Sequence, residues 1–105
     1  MSTIPVIDVD AMRSHAGEAE RLLKVIGNAN RLLVLCLLHE GERSVGALNA
    51  ELDLSQSALS QHLALLREEG LVSTRREAQT IYYALSDGPA RRIIDTLHGI
   101  YCPTR

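Results

Sequence analysis

No apolar run in this chain approaches bilayer length: the longest, Leu32 to Leu38 (LLVLCLL), has 7 residues, against the roughly 20 that a spanning helix needs. No leader-like amino terminus and no lipidation motif is visible, so the chain is expected in the cytoplasm. Internal repeats and low-complexity stretches are also missing, which excludes solenoids and leaves room for one domain in 105 residues. Positive charge is scarce. Eleven Lys and Arg face 13 Asp and Glu, for a formal net charge of −2, and this runs against nucleic-acid binding, whose sequence-independent affinity comes from phosphate neutralisation. The distribution partly offsets the total. Residues 71 to 92 hold Arg75, Arg76, Arg91 and Arg92 against Glu77 and Asp87, while residues 1 to 20 hold Asp8, Asp10, Glu18 and Glu20 against Arg13. Hydrophobic residues make up 46%, enough for a core, although so short a chain buries its surface inefficiently and would gain from dimerisation.

The most informative stretch is LSQSALSQHLALLREEGLV, residues 54 to 72. Ser55 is placed to cap a helix, with Leu54 and Leu59 forming a hydrophobic staple around it. Gly70 supplies the left-handed residue that ends the helix, and Leu71 can fold back on Leu66. Between these signals Leu59, Leu63 and Leu66 share one face, and Ser57, Ser60, Gln61 and Ala64 share another. The second face is polar but uncharged. Short hydroxyls and a glutamine let a helix approach base edges closely, whereas a merely solvated face would carry Lys and Glu. Upstream, SVGALNAEL (44 to 52) reads as a short helix capped by Ser44 with Val45, Leu48 and Leu52 inward, and the tight connection at Asp53 and Leu54 gives helix-turn-helix spacing. Downstream, LVSTRREAQTIYYAL (71 to 85) changes to strand chemistry around a polar tip at Arg76-Glu77-Ala78-Gln79, which predicts a hairpin wing.

The remaining elements are helical. Residues 1 to 9, with Pro5, are expected to be a tail, and residues 10 to 105 a single domain. From Asp10, the stripe Met12, Ala16, Ala19, Leu22, Leu23 and Ile26 predicts a first helix ending at Gly27. Asn28 caps the next, whose centre LLVLCLL is apolar on every side and predicts a helix buried all round, ended by Gly41. Ser86 or Gly88 caps the last helix, with Pro89 in its first turn and Ile93, Ile94, Leu97, Ile100 and Tyr101 along one side. The expected fold is therefore mostly α with a small β-hairpin: a winged helix-turn-helix of five helices, dimerised through its first and last helices. A two-fold axis there would set two recognition helices about one DNA turn, roughly 34 Å, apart on a palindromic operator.

Taken together, S-Q-S-x-L-S-Q-H-L-x-x-L-R-x-x-G-L-V and the following R-x-x-Q-x-x-Y-Y resemble the ArsR/SmtB family of dimeric winged helix-turn-helix repressors over residues 20 to 102. The residues expected to face double-stranded DNA are Ser55, Gln56, Ser57, Ser60 and Gln61 on the helix and Arg75, Arg76 and Gln79 on the wing, where a period-two strand points Arg75 and Arg76 to opposite faces, so at most one of the two need touch DNA. Many members sense metals through cysteines in the first helix of the helix-turn-helix, where this chain has Ala47, Leu48, Asn49, Ala50 and Glu51. A second metal site of the family uses Asp/His pairs on the last helix, which Asp95 and His98 supply only in part. The chain instead resembles the two-cysteine branch, whose members respond to persulfides, polysulfides or other thiol oxidants and need no cofactor.

Cys36 and Cys102 are the only cysteines. Composition alone makes each a small buried hydrophobe, which suits Cys36 within LLVLCLL. Cys102 in YCPTR, beside Pro103, has little packing role and should be reachable. Apolar burial at Cys36 and a helix carboxyl end at Cys102 both disfavour the thiolate, so the pair suits a sensor of reactive sulfur better than a catalyst. Linking the two would lower operator affinity. The alternative is a zinc-responsive repressor using Cys36, His39, His98 and Cys102 as a tetrahedral set. Each histidine also has a plainer role, His39 at a helix end and His98 as a half-buried dimer residue, while His62 is expected to pack or touch a phosphate. An enzyme built on Cys102 and His98 would lack an orienting acid beyond Asp95 and any oxyanion loop. No catalytic function is expected.

Overall fold

A computed structural model describes residues 6–102; Pro103 and residues 1 to 5 of the expected tail lie outside the described residues. The order of elements is α1 (Val9–Ile26), α2 (Ala29–His39), β1 (Arg43–Ser44), α3 (Val45–Glu51), α4 (Gln56–Glu68), β2 (Val72–Glu77), β3 (Thr80–Leu85) and α5 (Pro89–Tyr101). Capping explains most of the boundaries. The side chains of Asp8, Asn28, Ser44 and Ser55 each accept a hydrogen bond from the amide three residues on, at 3.0–3.1 Å. Asp8 therefore belongs to the helix start, and α1 begins at Val9 inside the stretch expected as tail. At the end of α4, Leu71 N–H donates to Leu66 O and Gly70 N–H to Arg67 O, with Gly70 at φ +77°, the left-handed closure that residues 66 to 71 predicted. Gly88, at φ +145°, is the residue that precedes α5, and Pro89 follows it as expected.

Fourteen apolar side chains form one core. Leu35 of α2, Leu48 of α3, Leu59 and Leu66 of α4 and Ile94 of α5 are fully enclosed, so the helix-turn-helix and the last helix meet on α2. The expectation that α2 is buried all round is corrected: Leu33 is 51% exposed, and Leu32, Cys36 and Leu37 are half-buried. The cause is the path of α1. The chain bends by 88° between α1 and α2, so α1 buries only Val25 and Ile26 and leaves one side of α2 uncovered. Arg31 holds the bend, its Nε donating to Val25 O at 2.7 Å where the carbonyls of α1 would otherwise be unpaired. The radius of gyration, 16.0 Å, exceeds the ~13 Å of a compact domain of this length, as expected when an 18-residue helix stands off its own core.

The sheet is antiparallel with order β1-β3-β2. Its third strand was not expected: Arg43 and Ser44 pair with Tyr83 and Tyr82. The hairpin is tighter than the expected tip, because Arg76 pairs with Ile81 and Glu77 with Thr80. Only Ala78 and Gln79 form the turn, and Ala78 takes φ 56°, a left-handed conformation that glycine usually supplies.

Candidate nucleic-acid interface and thiol pair

Asn49 sets the angle between α3 and α4 by donating from Nδ2 to Leu54 O at 3.0 Å across the turn. With Leu59, Leu63 and Leu66 buried, the opposite face of α4 must look outward. Ser55, Gln56, Ser57, Ser60 and Gln61 are all exposed, whereas His62 is half-buried. Ser60, Ala64 and Arg67 of this helix and Ile81 and Tyr83 of β3 border an open groove of about 560 Å³ between the helix and the wing. On the α4 side the cleft is bordered by the Ser60 hydroxyl, by Leu63 and Ala64 and by the charged Arg67 and Glu68, and on its other side by the hairpin.

The two wing arginines have different fates. Arg75 donates from Nε and Nη2 to the two oxygens of Glu42 at 2.8 Å each, and from Nη1 to Glu77 at 2.8 Å. Its guanidinium also lies 4.4 Å from the centre of the Tyr82 ring, a cation–π contact. The hydrogen bonds from Arg75 hold the Glu42 carboxyl below its ordinary range, and those to Glu42 and then Glu77 raise Arg75 in turn. Two carboxylates therefore already face this one cation. Arg76 projects from the other side of the strand, is exposed, and makes no ion pair or hydrogen bond among the described residues. Gln79 is exposed at the turn.

The thiols occupy facing helices. Cys36 is half-buried in α2, and Cys102 is exposed at the end of α5, where its N–H donates to His98 O at 2.8 Å. Burial raises the Cys36 thiol above its ordinary range, and the negative charges of Cys102 and then Glu40 push it further. Cys36 is accordingly held as the thiol, and Cys102 is the accessible residue of the two. The zinc alternative is not assembled. His39 bonds to Asp95 through Nε2, and its ring stacks on His98 with centroids 4.9 Å apart and planes at 28°. Among the described residues no three His, Cys, Asp or Glu side chains converge on a metal-sized point.

Sequence reasoning placed all eight proposed DNA-facing residues on exposed positions but missed Glu42, whose pairing with Arg75 spans 33 residues. It also missed the contact of His39 with Asp95 across 56. No local pattern announces either.

A profile of the bacterial regulatory protein arsR family matches residues 28–74, from the α2 cap into β2. The transcriptional activator HlyU of Vibrio cholerae is 49% identical over 96 residues, covering 91% of this chain and 89% of that protein. A biofilm growth-associated repressor of Agrobacterium fabrum is 47% identical over 96 residues, 91% of this chain and 82% of its own. Among solved structures, the transcriptional regulator HlyU of Vibrio vulnificus superposes with a TM-score of 0.84 at 51% identity, covering 91% of this chain and all of the other. A homodimeric winged helix-turn-helix DNA-binding domain from Mycobacterium bovis does so with 0.72 at 27%, over 95% of this chain and 89% of that one. With relatives of this identity aligned over nearly its whole length, the chain belongs to the ArsR family and is a transcriptional regulator with a winged helix-turn-helix fold.

Proposed function

We propose that the chain is a homodimeric repressor that binds a palindromic operator in its reduced state and releases it when Cys36 and Cys102 are bridged by reactive sulfur or another thiol oxidant. The single working domain starts at the Asp8 cap rather than at residue 10 and acts in the cytoplasm without catalysis. Ser55, Gln56, Ser57, Ser60 and Gln61 face the major groove, and the wing adds Arg76 and Gln79 on the flanking backbone. The relatives are named both activator and repressor, and repression is the simpler output for a protein this small: occupancy of an operator excludes other proteins. The dimer surface is the apolar one left by the fold. Met12 and Leu23 of α1 and Ile100 and Tyr101 of α5 are exposed, an uneconomic arrangement unless a second copy covers them.

The observation that supports the switch is placement: Cys36 lies in α2 and Cys102 closes α5, two helices that pack on one another, and the charge of Cys102 adds, after burial, to the rise at Cys36. The chemistry follows from their exposure. The accessible Cys102 thiolate attacks a polysulfide sulfur and expels a shorter polysulfide or hydrosulfide, leaving a Cys102 persulfide. Cys36 then attacks the Cys102 sulfur and displaces hydrosulfide, closing a disulfide; where the first step leaves a longer Cys102 hydropolysulfide, attack on the sulfur next to its end displaces hydrosulfide and closes a longer bridge. The thiols lose two protons and two electrons, and the polysulfide carries both electrons away as sulfide. Because α2 carries the helix-turn-helix and α5 belongs to the dimer face, the bridge changes the spacing of two recognition helices, which an operator with fixed half-sites detects. A coupling of about 1–3 kcal/mol changes occupancy several-fold or more.

The test uses a duplex selected from a randomised pool by the reduced protein. Polysulfide-treated wild type should bind it less tightly, with a mass showing retained sulfur or loss of two hydrogens, while Cys36→Ser and Cys102→Ser stay bound. Release of DNA from either serine variant to the same extent as wild type would sink the two-thiol switch.

A further inference from the structure

The contact between the ends of α2 and α5 involves none of the residues proposed to face DNA, yet it joins the two helices that carry the thiols. His39 is the last residue of α2, three residues beyond Cys36 and so on the same side of the helix. Its Nε2 meets Asp95 and its ring stacks on His98, both on one face of α5. His98 in turn lies four residues before Cys102 and accepts that residue's backbone N–H. Each thiol is therefore one helical turn from one ring of the stacked pair.

Within one subunit, apolar burial does not hold this end of α5. Its buried residues, Ala90 and Ile94, lie in its first half, while Ile100 and Tyr101 are exposed. Beyond Ile94, half-buried Leu97 and the polar contacts of Asp95 and His98 are what fasten the helix to the body. The His39 side chain is only 22% exposed, so the fastening is partly shielded from water.

We propose that His39, held between Asp95 and His98, is a positioning residue for the thiol pair: it latches the last turn of α5 onto the last turn of α2 and so fixes Cys102 opposite Cys36. The inference rests on the sensor reading above and adds to it the residues that set its rate. The latch acts on one of the two chemical steps. Modification of exposed Cys102 by polysulfide needs no particular distance from α2. Closure, in which the Cys36 sulfur displaces hydrosulfide from the Cys102 persulfide, depends on the two sulfurs being held together, and small misplacements are costly in such intramolecular reactions.

The experiment follows the full-length reduced protein by quenched-flow mass spectrometry after mixing with sodium tetrasulfide, separating singly modified Cys102 from the bridged product. In His39→Ala and in Asp95→Ala the first step should keep its wild-type rate while closure slows by about tenfold or more. Asp95→Asn, which keeps an acceptor for His39, should recover closure to within about threefold of wild type. A general loosening of the fold would not be rescued this way, and Asp95, 59% exposed, can be changed without opening the core. Unchanged closure in both alanine variants would overturn the latch while leaving the sensor reading intact. Failure of the wild type itself to form any bridge would remove the sensor reading and the latch with it.

Discussion

The clearest quantitative consequence of the structure concerns the adjacent wing arginines. Arg75 has its donors committed to Glu42 and Glu77 and its face committed to Tyr82, so phosphate can recruit it only by displacing two carboxylates. Arg76 has no such partner among the described residues and should supply the wing's phosphate contact. Each phosphate neutralised contributes about 0.9 to the slope of log K against log salt. A dimer using one Arg76 in each half-site therefore owes about 1.8 of its slope to this residue. Over a fourfold rise in salt, from about 50 to about 200 mM, the affinity advantage of wild type over Arg76→Ala should shrink by about twelvefold. Since phosphate contacts ignore sequence, the measurement needs only fluorescence anisotropy with a labelled duplex of arbitrary sequence across a salt series. Arg75→Ala should leave the slope as it is, and Glu42→Gln, which removes the bidentate partner, should steepen it. A slope that flattens for Arg75→Ala and stays put for Arg76→Ala would refute the reasoning.

Three other outcomes are expected. Gln61→Ala should cost about 1–3 kcal/mol at one base position of the selected duplex and little elsewhere; a uniform loss across all base changes would make Gln61 a backbone contact. Ala78→Gly should raise the denaturation midpoint, because the left-handed turn costs alanine about 1 kcal/mol more than glycine, partly offset by the greater freedom of glycine in the unfolded chain; a lower midpoint would contradict the strain. The Arg21 hydrogen bond, followed by its charge, lowers the Glu69 carboxyl, so the tie between α1 and the end of α4 stabilises fully above the ordinary glutamate range and is lost as pH falls through the depressed value. Denaturation midpoints of wild type and Glu69→Gln measured from neutral to acid pH should accordingly converge at low pH, and a constant gap would exclude this linkage.

What the sequence made legible was local. The caps at Asn28, Ser44 and Ser55 and the closure at Gly70 each depend on residues a few positions apart, and all are where the pattern placed them. The strand β1 escaped because two residues carry no periodicity, and their pairing partners, Tyr82 and Tyr83, lie about forty positions on. The overstatement at α2 has a similar origin. LLVLCLL describes a helix with no polar face, but which side is covered depends on the 88° turn into α1, held by the bond from Arg31 back to Val25 O rather than by the apolar run itself. At the site, exposure of the α4 face followed from its leucines, whereas the neutralisation of Arg75 and the stacking of His39 on His98 came from tertiary pairing that no spacing rule encodes.

The uncharged face of α4 also bears on how such a regulator finds its target. If that face reads DNA as proposed, a surface of hydroxyls and amides, beside a wing that keeps one of its two arginines occupied, should adhere weakly to arbitrary chromosome. Non-specific sites outnumber an operator by a factor on the order of 10⁶ or more, so weaker adhesion to each of them raises the share of the pool left to bind the operator. Few copies per cell would then fill an operator, and dimers detached by a sulfur pulse would be available again as soon as their thiols were restored.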